Sequence, residues 1–316
     1  MTISVSYFDA SSKILRALIE MVTVFKRYGM LLKERSAIIT GASRGLGKAI
    51  AQAFLANGCN ITICSREDGN LQDAAAELQA GCQTAARVKA LRADVASESE
   101  VKALVEGAIE QFGRLDIIVN NAAILGPIGP VELVDWQQWI RTVEINLGGP
   151  VLLCRAAIPH LKAQRFGRII NLSGGGASAP RPRFSAYAAS KAALVRFSET
   201  LAEELKEFDI TVNAVAPGAL NTEMLEQVLQ AGSVMAGAKA FDEACAQKNQ
   251  GGSSLEQAAA LCAFLASDAA HAITGKLISA AWDPWHKLSL YEKHLVDSDI
   301  YTLRRIIPTD RGQDWQ

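Results

Sequence analysis

Short, mostly apolar runs recur along the chain at 37–40 (AIIT), 60–64 (NITIC), 88–92 (VKALR), 117–120 (IIVN), 168–172 (RIINL), 210–215 (ITVNAV) and 276–280 (KLISA). Runs of four to six residues rich in branched side chains predict strands buried on both faces. Between them lie longer segments of helical period, such as GKAIAQAFLANG after the first run and LQDAAAELQAG after the second. This alternation predicts an α/β fold, a single doubly wound parallel sheet with right-handed crossovers. The domain spans 33–283 with no internal linker.

Residues 220–252 break the rhythm, with Gly232, Gly237, Gly251 and Gly252 punctuating weak helices. Ligands bind at the carboxyl ends of strands in such sheets, so this insertion reads as a substrate lid. Residues 284–316 carry Trp285, Trp315 and RRIIP, and are expected to dock on this or a neighbouring subunit. An N-terminal extension covers 1–32. Its stretch 11–29 mixes apolar and charged positions as an amphipathic helix would, and Glu20 interrupts any secretory apolar core. A docking helix is the preferred reading and membrane-surface contact the weaker one. Met30 precedes LLKERSAIITGAS, a natural beginning for the domain, so the first 29 residues are an extension or a misplaced start.

The composition, 49% hydrophobic and 21% charged in 316 residues, is that of a globular chain with a sizeable core. A formal charge of −1 without a long basic run lacks the counterion-releasing surface of a nucleic-acid binder. Small molecules become the default partners. The six cysteines are scattered, with no CxxC and no nearby histidine pair. That pattern predicts buried thiols in a reducing, cytoplasmic setting and no metal site.

Two local patterns carry chemistry. After the first run comes Thr40-Gly41-Ala42-Ser43-Arg44-Gly45-Leu46-Gly47 and then a helix. Glycines let the backbone approach a pyrophosphate, and the free N–H groups of a helix start favour the anion, as in Rossmann-type dinucleotide sites. In FSAYAASK, Tyr187 precedes Lys191 by four residues, which on a helix aims both side chains at one spot.

Together these segments resemble the short-chain dehydrogenase/reductase family over nearly all of residues 33–281. TGASRGLG is similar to its cofactor loop and Asp94-Val95 to its adenine-contacting pair. Asn120-Asn121-Ala122-Ala123 resembles its NNAG segment, with Ala123 in place of glycine. Asn146, Tyr187 and Lys191 match its catalytic asparagine, tyrosine and lysine, and Pro217-Gly218 with Thr222 matches its PGxxxT segment. The resemblance implies an NADP(H) or NAD(H) cofactor held by Gly41, Ser43, Arg44, Gly45, Leu46 and Gly47. Ser65, Arg66, Asp94, Val95, Asn120, Ala122, Pro217, Gly218, Thr222, Tyr187 and Lys191 complete that cofactor set. It also implies assembly as a homodimer or homotetramer.

A carbonyl that accepts hydride needs a proton on its oxygen, and a phenol with pKa near 10 is a poor base for the reverse step. A cation about 4 Å away at an effective dielectric near 20 is worth roughly 4 kcal/mol, enough to lower that pKa by up to about 3. Lys191 is the expected cation, and Asn146 is expected to hold a relay water. Where NAD-preferring relatives carry an acid after the second strand, this chain has Ser65 and Arg66. Arg66 and Arg44 could clamp a 2′-phosphate, which favours NADP(H), with NAD(H) the alternative.

One departure concerns the substrate. The family's serine lies thirteen residues before the tyrosine, and that slot is Gly174; Ser173 sits one residue early and is the candidate polariser. The reading is thus a soluble oxidoreductase acting on a small carbonyl compound or secondary alcohol. The alternative is a nucleotide-binding scaffold or sensor of the same fold that lost turnover through the Gly174 change. Pro180-Arg181-Pro182-Arg183, two cations on a stiffened backbone, predicts an anionic substrate group or a subunit contact.

Overall fold

The computed structural model describes residues 30–315, so the expected helix at 11–29 lies outside the described residues. Seven parallel strands form one sheet in the order β3-β2-β1-β4-β5-β6-β7. They are β1 (Ser36–Thr40), β2 (Asn60–Ser65), β3 (Val88–Arg92), β4 (Ile117–Asn120), β5 (Gly167–Leu172), β6 (Ile210–Ala216) and β7 (Leu277–Ser279). All seven expected strands are present. β7 begins one residue late because the Lys276 N–H is taken by the Asn213 side chain at 3.1 Å.

The middle strands are buried along their whole length, as two-sided coverage requires. One face is covered by α1 (Gly45–Ala56), α2 (Asp68–Ala80) and α9 (Leu255–Ala266). Residues 258–266 of α9 are all buried, and its run of alanines lets α1 and the sheet approach closely. The other face carries α3 (Glu98–Phe112), α5 (Gly149–Gln164) and α6 (Ser185–Leu205), which bury Leu104, Val105, Leu153, Leu201 and Leu205 against Ile118 and Ile169. Between them, α4 (Trp136–Val143) runs into a π-helical turn, Glu144–Gly148.

Strand order reverses between β1 and β4, and at that switch point the carboxyl ends of the strands open a cleft, the place where such sheets take ligands. The insertion at 220–252 folds as two helices, α7 (Glu223–Ala236) and α8 (Ala238–Gln250). The glycines punctuate them as expected, with Gly237 and Gly251 at their boundaries. Gly232 kinks α7 at φ 70°, while Leu225, Val228 and Ala244 pack on Leu125, Phe184 and Tyr187. The tail docks on its own chain. Trp285 is buried beside Phe264, and the Leu277 N–H of β7 donates to the Tyr301 carbonyl at 2.7 Å, which occupies the outer sheet edge.

Candidate active site

Thr40 closes β1, and its hydroxyl accepts the N–H groups of Asn121 and Ala122, each at 3.0 Å. The chain then turns at Gly41, with φ 64°, where a side chain would also press on Ala122. A Cβ on Gly47 would lie 2.4 Å from the Gly41 carbonyl oxygen, so the loop closes only around glycine. Helix α1 starts here without a side-chain cap and without an acidic residue in its first turn, whereas α3, α4 and α9 are capped by Ser97, Asp135 and Ser254. Uncapped N–H groups above a glycine cradle fit a pyrophosphate.

A cavity of about 1510 Å³ runs from this loop across the strand ends to the two-helix insertion. It is lined by every residue expected at the site except Asn120 and Asn146. Asn120 departs from the expectation. It points into the sheet, and its amide donates to Asn171 Oδ1 at 2.8 Å, a buried link between β4 and β5. The neighbouring Asn121 faces the loop instead, donating to the carbonyls of Thr40 at 2.9 Å and Gly41 at 3.1 Å. Alternation along β4 was the available signal, since adjacent residues of a strand face opposite ways.

Beside the glycine loop, at the end of β2, the Ser65 hydroxyl donates to the Glu67 carbonyl at 2.8 Å. Arg66 is exposed and makes no hydrogen bond or ion pair among the described residues. Arg44 is engaged, forming an ion pair with Glu223 at the start of α7. Asp94 is held by Arg141 at 2.6 Å and by the Ala96 N–H at 2.9 Å. Partial burial pushes its carboxyl up, and these donors together with Arg66 bring it below its ordinary value. Val95 is buried against Gly149.

Tyr187 and Lys191 lie one turn apart on α6, both buried. The Tyr187 hydroxyl fills the space beside Gly174, where an added Cβ would come within 2.4 Å of it. Gly174 thus leaves room for the phenol as well as removing a hydroxyl. Lys191 lies over the phenol ring without a hydrogen bond to it. Its Nζ donates to the Leu172 carbonyl at 2.7 Å, 5.7 Å from the Tyr187 ring centroid, and burial lowers its pKa to about 7. Burial also raises the Tyr187 pKa, and the cation that opposes the rise is Arg181, whose guanidinium lies 5.6 Å from the ring. Two cations thus stand at nearly equal distance from the Tyr187 ring, Arg181 at 5.6 Å and Lys191 at 5.7 Å.

Asn146 sits in the π-helical turn, fully buried. Its Oδ1 accepts the Ile124 N–H at 2.9 Å, and its amide donates to the Ile124 carbonyl at 2.9 Å and to Ser190 Oγ at 3.1 Å. Ser190 in turn donates to the Tyr187 carbonyl at 2.8 Å, so Asn146 ties the loop after β4 to the turn of helix that carries the phenol. Ser173 lines the cavity, and its hydroxyl is buried with no hydrogen-bond partner. Pro217, Gly218 and Thr222 form the opposite wall, with the Thr222 methyl close to Gly45 across the cleft.

The family model described as short chain dehydrogenase matches residues 35–232. A 3beta-hydroxysteroid dehydrogenase 1 of Eggerthella lenta is 38% identical over 247 residues, 77% of this chain and 91% of that protein. A 3-oxoacyl-(acyl-carrier-protein) reductase of Synechocystis is 37% identical over 201 residues, 62% of this chain and 78% of its own length. Among solved structures, levodione reductase superposes with a TM-score of 0.72 at 29% identity, covering 82% of this chain and 99% of its own.

Proposed function

As a member of the short-chain dehydrogenase/reductase family, the chain is an NAD(P)-dependent oxidoreductase, and we propose that it uses NADP(H) to interconvert a small carbonyl compound and its secondary alcohol. The observation that carries this reading is one cavity holding an uncapped glycine cradle at one end and the Tyr187 hydroxyl at the other. The cradle of Gly41, Gly45 and Gly47 would hold the pyrophosphate, and unpaired Arg66 would meet a 2′-phosphate. When bound, the nicotinamide supplies or accepts hydride.

Tyr187 acts as the general acid in reduction, donating its proton to the carbonyl oxygen, and as the base in the reverse direction. The Lys191 ammonium, 5.7 Å from the Tyr187 ring, favours the phenolate that remains. Ser173 adds a second donor to the developing oxyanion, and its unpartnered hydroxyl supports that role. Asn146 holds the helix turn that carries Tyr187.

The test is turnover of a panel of ketones, aldehydes and secondary alcohols with NADPH and NADH or their oxidised forms. Carbonyl reduction with a preference for NADPH is expected. Cofactor binding without turnover of any panel member would overturn the reading.

A further inference from the structure

Two cations enter the site through Pro180-Arg181-Pro182-Arg183, and the structure divides them. Arg183 is committed to the insertion. Its Nη1 donates to the Val234 carbonyl of α7 at 3.0 Å, and its own carbonyl accepts the Gly129 N–H at 2.9 Å. Arg181 is committed to nothing polar. Its guanidinium lies over the Phe184 ring, 4.1 Å from the centroid, and 5.6 Å from the centroid of Tyr187. Among the described residues it makes no hydrogen bond and no ion pair. Glu243 of α8 faces it, but the ion-pair partner of Glu243 is Lys239, at 4.0 Å.

The side chain is also held. Prolines flank it, Gly176 packs on its Cβ, Gly175 opens toward Nη1, and the Arg181 carbonyl accepts the Phe184 N–H at 3.3 Å. A fixed, half-buried guanidinium with all its donors free is costly until an anion arrives, and its planar fork matches a carboxylate. Burial depresses the guanidinium below its ordinary value, more than Tyr187 and Glu243 raise it. The same cavity wall carries Tyr187, so an anion on Arg181 and an oxygen on Tyr187 belong to one small molecule.

We propose that Arg181 anchors the carboxylate of the substrate, which is an oxo acid, or the corresponding hydroxy acid, with the carboxylate a few bonds from the reacting carbon. This rests on the oxidoreductase reading above for the turnover of that acid, though not for its binding.

The test compares straight-chain 2-oxo, 3-oxo and 4-oxo acids with their methyl esters at saturating NADPH, in wild type, Arg181→Met and Arg181→Lys. Arg181→Met keeps an apolar stem over Phe184. Wild type is expected to favour at least one acid over its ester in kcat/KM. Arg181→Met should lower that preference on the order of 100-fold, mainly through KM, because a buried charged pair loses one partner. Arg181→Lys, which keeps the charge and loses the fork, should fall between. An unchanged preference in Arg181→Met, an equal loss on acid and ester, or a wild type that favours esters would overturn the anchor. If wild type reduces neither, calorimetric titration of succinate and glutarate into the NADP-bound enzyme separates the two readings. Binding that Arg181→Met abolishes, with no turnover across the wider carbonyl and alcohol panel, would keep the anchor and sink the carbonyl–alcohol reading; no binding to wild type would sink the anchor.

Discussion

Lys191 should be a stability liability in the cofactor-free protein. Its pKa falls from the ordinary 10.5 to about 7 through burial alone, with one hydrogen bond to the Leu172 carbonyl. A difference of about 3.5 corresponds to roughly 5 kcal/mol at 1.36 kcal/mol per unit of pKa. The folded state disfavours the proton, so the unfolded chain binds more protons between pH 7 and 10.5 and stability rises with pH across that window. The full penalty is present below about pH 7 and is gone above 10.5. Lys191→Met keeps the stem, removes the ammonium and gives up a hydrogen bond worth about 1 kcal/mol. The variant should therefore gain about 4 kcal/mol at pH 6, with a Tm higher by roughly 6 °C, and lose that advantage by about pH 10. Urea unfolding of both proteins without cofactor at pH 6, 8 and 10 reads this directly. A variant less stable than wild type at pH 6, or an advantage independent of pH, would refute the argument.

Arg66→Ala should weaken NADPH at least tenfold more than NADH in fluorescence titrations, because only NADPH carries the 2′-phosphate; equal losses would remove the NADP(H) assignment. Ser173→Ala should lower kcat on the order of 100-fold without lowering Tm, since its hydroxyl has no partner in the protein; a drop under about threefold would leave polarisation to Tyr187 and the backbone N–H groups of Gly174 or Gly175. Gly174→Ala should displace the Tyr187 hydroxyl and cut kcat at least tenfold at unchanged cofactor affinity. Wild-type kcat in that variant would show that the phenol reacts from another position.

Most of the sheet was readable because central parallel strands are apolar on both faces, and the glycine loop and the Tyr187–Lys191 pair are local patterns. What was not readable depends on tertiary neighbours. The sequence spacing of Tyr187 and Lys191 predicts a shared direction, and Lys191 does lie over the Tyr187 ring at 5.7 Å, but its hydrogen bond to the Leu172 carbonyl of β5 is a tertiary contact the spacing does not encode. Arg181 reaches Tyr187 only because Gly174, Gly175 and Gly176 let the loop after β5 fold close to α6, a contact no periodicity encodes. Asn120 and Asn121 look alike in sequence, and only the strand's facing separates the sheet-linking one from the loop-holding one. The insertion read as broken by its glycines, and Gly232 and Gly237 do interrupt the helices there with non-helical backbone angles.

The central claim is that the Tyr187 hydroxyl transfers the proton in an NADP(H)-linked carbonyl reduction. Tyr187→Phe removes that one oxygen and keeps the ring that packs on Phe184 and Leu225. Steady-state turnover of the best substrate, with the NADPH dissociation constant measured in parallel, tests the claim most directly. Turnover should fall by a factor on the order of 10³ while NADPH binds within about threefold of wild type. Turnover near the wild-type rate would contradict the claim.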